Sequence, residues 1–562
     1  MIREGPPSSG ECDVCIIGSG PIGIALALEC EALGKNVMLL ESGRLRVDAR
    51  IADASRAAIV DPRRHAPMDQ AVCRAFGGTS RTWGGRCVAF DDIDFEERSY
   101  VPHSGWPISH HELSGWYRKA TQYLLCGTGT FTSPSDLDLG NDASCNALER
   151  WSVQPRLAAT YQSRIQSSRA VTICLNSTVV DLDFARSDQA VQNVVVASAN
   201  GLVRIKSRQV VVAAGGVETT RLLLAIQRRR PAAFGGPEGA LGRYYMGHIS
   251  GKIATIRFRD PQAAKEFDFF RDESGAYVRR RLALSQTAQR RYKVLNTAFW
   301  LDNPPFSDPS HRNPVLSGVF LALAVPFVGR RFLPEPIRLI HVGTGPHRLR
   351  EHFANVARSG LDDARNLSLI IRDRLSKRPR KPGFLLHNTA GRYALQYHAE
   401  QIPDPQSRIT LTGETDAFGM PRVAVDLRFN EPDARSVIAS HNILDDALRK
   451  SGVGALEFWY RPEETAERVL AQASDGFHQV GTTRLGLDPK SSVVNPNLRV
   501  HDVPNLYVAS TSVFPTTGQA NSTLLGVALA VRLAHLLAGS DPENVPASAT
   551  NTADEHETTT RS

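Results

Sequence analysis

Asp13-Val-Cys-Ile-Ile-Gly-Ser-Gly-Pro-Ile-Gly23 is the stretch that decides the fold. Its first five residues are short, apolar and β-branched, as expected of a parallel strand buried on both faces. Gly18, Gly20 and Gly23 then give G-x-G-x-x-G, and a helical pattern runs from Pro21 to about Leu33. A second apolar strand, Asn36-Val-Met-Leu-Leu40, ends in Glu41. Strand, turn, helix and strand in this order turn a glycine pattern into a dinucleotide-binding fingerprint. Gly18 permits the tight turn. Gly20 lets the backbone approach a pyrophosphate at the helix N-terminus, where free N–H groups and the dipole favour negative charge. Gly23 lets the helix lie close to the strand. Glu41 stands where a carboxylate binds ribose hydroxyls.

Further glycine clusters follow. Phe76-Gly-Gly-Thr-Ser-Arg-Thr-Trp-Gly-Gly-Arg86 places four glycines around a Trp, a backbone able to lie against a flat ring system. Near the far end stands Phe477-His-Gln-Val-Gly-Thr-Thr-Arg-Leu-Gly486, then the strand Asn505–Ser510. Asn521, Ser522 and Thr523 open an Ala- and Leu-rich helix that runs to about Leu537. Ser, Thr and Asn are natural caps there, and the positive end of the dipole would favour an anionic reduced ring. Removing hydride from an alcohol carbon needs a base at the hydroxyl. A neutral histidine such as His478 suits that task, since its ordinary pKa is about 6.5.

With both ends on the page, the chain resembles the glucose–methanol–choline (GMC) oxidoreductases, a family of FAD-dependent alcohol oxidases and dehydrogenases. Further pieces carry the likeness: Val211–Leu223, Leu241–His248, Gln401–Leu411 and above all Val494 through Leu537. Residues from about 255 to 395 match little that the family offers. The resemblance implies an α/β fold. A Rossmann-like FAD-binding domain is assembled from separated segments, 1–250 with 476–540 returning to it. An α+β substrate-binding domain with an antiparallel or mixed sheet occupies 251–475. It implies His478 and Asn521 as the catalytic pair, with His478 as base and hydride passing to flavin N5. For FAD it implies contacts from Gly18, Ser19, Gly20, Pro21, Ile22, Gly23, Glu41, Ser42, Thr79, Trp83, Gly84, Gly85, Val180, Ala214, Gly215, Glu218, Ser510, Ser522 and Thr523. Gln401 is expected to face the substrate.

Asn at 521 and the Gly-Gly-Thr-Ser-x-x-Trp-Gly-Gly stretch resemble the branch of pyranose oxidases and of sugar and aminoglycoside dehydrogenases. A sugar, glycoside or polyol-like alcohol is then the expected substrate, with oxygen, a quinone or a redox protein taking the electrons. Many pyranose oxidases attach FAD through a His just before the residue matching Trp83. Thr82 stands there, so non-covalent FAD is expected. A lyase that keeps a non-redox FAD, a non-enzymatic flavin- or nucleotide-binding protein and an NAD-dependent dehydrogenase remain as other readings.

At 562 residues the chain is long enough for two or more domains. Arg422–Phe429 alternates apolar and polar residues like a half-buried strand. The eight cysteines fall between Cys12 and Cys174, without the paired spacing of zinc modules, so no metal centre is expected. With no apolar leader pattern at the start, reduced thiols in the cytoplasm are the expectation. Residues 541–562 read as a disordered tail. The net charge is +8. Between Arg330 and Lys381 thirteen Lys and Arg face five Asp and Glu, an excess as large as that of the whole chain. The apolar run Pro314–Gly329 precedes it, so 314–381 is a candidate for peripheral membrane contact. A membrane span needs about twenty apolar residues, and this run is shorter and broken by Pro326. No nucleic-acid-binding motif accompanies the charge.

Overall fold

The computed structural model describes residues 1–7, 11–186, 189–198, 201–343, 345–376 and 378–539. The tail expected at 541–562 lies outside the described residues. The elements that build the nucleotide-binding half are β1 (Ile2–Glu4), β2 (Glu11–Ile17), α1 (Pro21–Ala32), β3 (Val37–Leu40), β4 (Val171–Leu175), β5 (Thr178–Phe184), β6 (Val191–Ser198), β7 (Gly201–Val212), α2 (Gly216–Arg229), β8 (Leu506–Val508) and α3 (Thr523–Ala538). Parallel pairing runs β1-β4-β3-β2-β7-β8. The N-terminal half of β7 also forms an antiparallel ribbon with β6, and β6 with β5.

Val14, Cys15, Ile16 and Ile17 of β2 are all buried, which is why this strand reads as a continuous apolar run rather than an alternating one. Its end is fixed by two glycines. Gly18 has φ +107°, and a Cβ there would lie 2.5 Å from the Ala213 carbonyl oxygen. A Cβ on Gly23 would overlap the Gly18 carbonyl oxygen. Helix α3 is apolar but for Thr523, Arg532 and His535 and is buried from Leu524 to Ala534, as suits a helix inside a large core. It packs against α1, so the last described helix completes the layer that the first one begins.

The second sheet is antiparallel and, among the described residues, eight-stranded. In order it contains Gly454–Phe458, Ile249–Phe258, Arg392–Ala399, Thr297–Asp302, Tyr277–Leu284, Ala143–Trp151 and Arg86–Cys87, with Phe270–Arg271 on Tyr277–Leu284. The expected boundary at 250/251 is not where the sheets divide. Arg86–Cys87 and Ala143–Trp151, assigned from sequence to the FAD-binding part, hydrogen-bond into this second sheet. Side chains alternate across it. Tyr393, Leu395, Tyr397, Phe299 and Leu301 join one apolar core with helices Glu431–Lys450 and Pro462–Gln472. The opposite positions include Trp300 and His398. Arg408–Thr415, Pro421–Asp426 and Ala58–Ile59 form a third, small sheet.

A helical insertion separates the neighbouring strands Thr297–Asp302 and Arg392–Ala399. Its first two α-helices, Pro314–Ala324 and Pro326–Phe332, bend by 110° at their junction, and among the described residues no single helix is long and apolar enough to cross a membrane. The bend comes at Pro326, whose ring cannot continue the preceding helix. Phe320, Leu323 and Val342 form a small core of their own. Ile337 reaches within 3.3 Å of where a Cβ on Gly84 would sit, so the insertion closes over the second glycine cluster.

Candidate active site

One cleft gathers fourteen of the residues expected to touch a dinucleotide: Gly18, Ser19, Gly20, Pro21, Ile22, Glu41, Ser42, Thr79, Ala214, Gly215, Glu218, Ser510, Ser522 and Thr523. Counting the solvent at its open mouth, it encloses about 1320 Å³. No side chain caps the N-terminus of α1, and a Cβ on Gly20 would meet nothing within 4 Å. The helix end therefore offers backbone N–H groups to open space, the chemistry that holds a pyrophosphate. The Glu41 carboxylate is buried in the wall. Its Oε2 accepts from Ser19 N at 3.0 Å and Ser19 Oγ at 2.6 Å, and its Oε1 from Gly43 N at 2.7 Å. Held in place and still rich in lone pairs, it suits a ribose hydroxyl. These features fit FAD.

Other expected contacts stand elsewhere. Gly23 is packed against Gly18. Trp83 donates its Nε1–H to the Pro155 carbonyl at 2.6 Å, and a Cβ on Gly85 would meet Pro155 and Ser152, so the second cluster is braced from behind. On β5, Val179 lines the cleft while Val180 belongs to the core; successive strand residues face opposite ways, and the expectation is displaced by one position. Gln401 is a clear correction. It is fully buried, its Oε1 accepts from Gly247 N at 2.9 Å, and its Nε2 donates to the Arg428 carbonyl. Its amide ties two segments together and does not face a substrate.

Phe477 and Gln479 line the cleft, and His478 between them turns to a separate cluster. Asn521 Nδ2 lies 2.7 Å from His478 Nε2. Asp475 Oδ2 lies 2.9 Å from His478 Nδ1. A carboxylate only accepts, so Nδ1 carries the proton and Nε2 of the neutral ring presents its lone pair, which the Asn521 amide meets as a donor. Asp475 also accepts from Phe477 N at 2.8 Å and His248 N at 2.7 Å. Burial alone would raise its pKa, yet His478 and His248 beside it hold it well below the usual carboxylate range. It therefore stays a carboxylate and keeps the tautomer fixed. Asp475 went unnoticed in the sequence, although its place three residues before His478 was a signal.

Two more histidines complete the cluster. His248 and His398 stack with ring centroids 4.2 Å apart, and His248 meets His478 edge-on at 4.5 Å. Burial, followed by the neighbouring His478, lowers His248 to about 4. Burial, then His248 and Arg86, pushes His398 well below its ordinary value. Both are neutral at neutral pH. Beyond them, Arg86 lies 4.3 Å over the Trp300 ring, and buried Glu149 pairs with Arg86 and Arg279. The Asn521 Oδ1 atom is buried without a hydrogen-bond partner, an acceptor left for a hydroxyl.

The family description "FAD dependent oxidoreductase" matches residues 13–293, and "GMC oxidoreductase" matches residues 403–530. Paromamine 6'-oxidase of Streptomyces fradiae is 34% identical over 137 residues, 24% of each chain. C-glycoside 3-oxidase of Arthrobacter globiformis is 36% identical over 130 residues, 22% of each. The chain thus spans about a quarter of the length of these curated relatives. A variant of Aspergillus oryzae formate oxidase superposes with a TM-score of 0.51 at 14% identity, over 94% of this chain and 98% of that one; at that identity the likeness concerns the fold.

Proposed function

The chain belongs to the FAD-dependent oxidoreductases and carries a GMC oxidoreductase C-terminal segment, and from that premise we propose that it oxidises a CH–OH group of a sugar, glycoside or related polyol-like alcohol to a ketone or aldehyde. The observation that carries this reading is the His478–Asn521 pair, backed by Asp475 beside the FAD cleft. FAD supplies the two-electron acceptor for the carbinol hydrogen. His478 Nε2 takes the hydroxyl proton. Asn521 orients the alcohol oxygen, and Asp475 offsets the positive charge that develops on the imidazole. The short matches to a paromamine oxidase and a C-glycoside oxidase support the sugar-like substrate.

The test is the visible spectrum of the purified protein, kept anaerobic while sugars, glycosides and simple alcohols are added. Bleaching of the flavin band identifies the substrate class. Fast recovery in air points to oxygen as acceptor, and slow recovery to a quinone or redox protein. If no alcohol bleaches the flavin, the reading gives way to a lyase with a non-redox FAD.

Asp475→Asn should slow substrate-driven bleaching by about 10²-fold or more, because an amide can present its donor to Nδ1 and move the ring proton onto Nε2. Retained bleaching rates in stopped flow would remove Asp475 from this role. FAD should be non-covalent. Thr82 occupies the position of the attachment His and donates its hydroxyl to the Thr79 carbonyl at 3.2 Å. Acid precipitation should leave the yellow colour in the supernatant, and colour in the pellet would contradict it.

We place the protein in the cytoplasm, with a peripheral contact to anionic membrane through 314–381. Its eight cysteines are free. Phe327 is 73% exposed, Ile340 66%, Phe353 60% and Leu361 92%, on the same insertion that carries the basic excess. Co-sedimentation with anionic vesicles at low salt, lost at high salt, is the expected result; no sedimentation at low salt ends the idea.

A further inference from the structure

We propose that His248, His398 and His478 form a binding site for one zinc-class transition-metal ion, and that the ion blocks the enzyme by capturing the catalytic nitrogen. One ring nitrogen of each histidine lies within 4.8 Å of the other two. The three come from distant parts of the chain. His248 precedes the strand Ile249–Phe258, His398 sits in Arg392–Ala399, and His478 follows Asp475.

Two of the three rings are held on their far side by an acceptor. His398 Nδ1 donates to the Gln519 carbonyl at 2.7 Å. His478 Nδ1 donates to Asp475 at 2.9 Å, and His248 Nδ1 lies 3.6 Å from the same carboxylate oxygen. Carboxylate or carbonyl groups behind imidazole ligands are the usual second layer of a metal site, because they fix the ring and point the other nitrogen at the ion. In His398 and His478 they leave Nε2 for the ion, and His248 has both nitrogens unbonded. A second observation stands apart from the spacing. His248 is 1% exposed, yet both its nitrogens lack a hydrogen bond, and a buried polar group without a partner marks an incomplete site.

Three imidazoles select zinc, copper or nickel over magnesium or calcium. Zn–N bonds of about 2.0–2.1 Å in a tetrahedron put the nitrogens about 3.3 Å apart, so the rings need to draw in by about 1.5 Å at most. The fourth position stays open for water or a substrate oxygen, as in three-histidine zinc centres. Binding displaces Asn521 from His478 Nε2. The inhibitory consequence rests on the proposed alcohol oxidation; the binding itself does not.

The test uses the tag-free, flavin-loaded protein. After equilibration with zinc chloride and dialysis, metal analysis should find one zinc per chain, bound at least tenfold more weakly in His398→Gln and in His248→Gln, with magnesium not retained. No retained zinc, or retention unchanged in both variants, overturns the site. Should the variants lose their flavin or fold, cobalt(II) added to the unmodified protein should give the intense visible bands of a tetrahedral site, and their absence overturns it equally. Zinc should also suppress substrate-driven bleaching, with chelator restoring it. Zinc retained with bleaching unaffected overturns the inhibition. A metal-free protein that no alcohol bleaches would count against the proposed reaction and leave the site standing.

Discussion

His478→Ala will slow flavin bleaching by alcohol about 10²–10⁴-fold, the usual contribution of a positioned general base. The geometry predicts where the loss falls. Nε2 faces Asn521 at 2.7 Å, and Nδ1 is locked to Asp475, so the ring cannot be replaced by a neighbour already in reach. His248 and His398 are close but lowered by burial, which makes them poor proton acceptors. The cleft residues stay in place, so the variant should remain yellow. Stopped-flow reduction under anaerobic conditions measures the effect. A change under tenfold would remove His478 from the role of base, and His478→Gln should be as slow as the alanine variant.

Gly23→Ala is expected to yield protein without flavin and with a markedly lower melting temperature. A single methyl at this position overlaps the Gly18 carbonyl oxygen. Gly18 has little room to yield, since the Ala213–Ala214 backbone already occupies the space where even a Cβ on Gly18 would sit. Overpacking a tight core costs about 1–3 kcal/mol, and here the displaced element is the helix whose free end faces the cofactor cleft. Absorbance of the purified variant and its thermal melt check both halves. A yellow variant with an unchanged melt would show that α1 can slide without cost.

These two residues differ in how they could be read. Gly23 belongs to a local pattern in which strand, turn, helix and acid follow one another, and each residue's reason lies within thirty neighbours. His478 and Asn521 needed the resemblance to a family, since nothing local distinguishes one histidine from another. Asp475 was within reach, three residues away, but a carboxylate near a histidine is common on any surface. His248 and His398 were out of reach. They are brought together only because Ser250 pairs with His398 across the second sheet, and register between strands that lie so far apart in sequence has no local signature. Gln401 misled for a related reason. Its side chain ties Gly247 to Arg428, a contact set by tertiary packing. Val180 failed by one residue, because only the observed pleat says which of two adjacent valines faces the cleft. The 250/251 boundary failed because β-pairing, not chain order, decides which sheet a segment joins.

The docking of α3 on α1 has a consequence for how the protein is made. A ribosome delivers Thr523 five hundred residues after Gly23, an interval of about 25–100 s at ordinary elongation rates of about 5–20 residues per second. Until then β7 lacks the partner strand Leu506–Val508 and the cleft lacks the wall formed by Ser510, Ser522 and Thr523. Cofactor capture therefore has to wait for this segment, and chains terminated before it should emerge colourless, sticky and easily degraded, so that retention of the vitamin-derived group serves the cell as a check that translation passed Thr523.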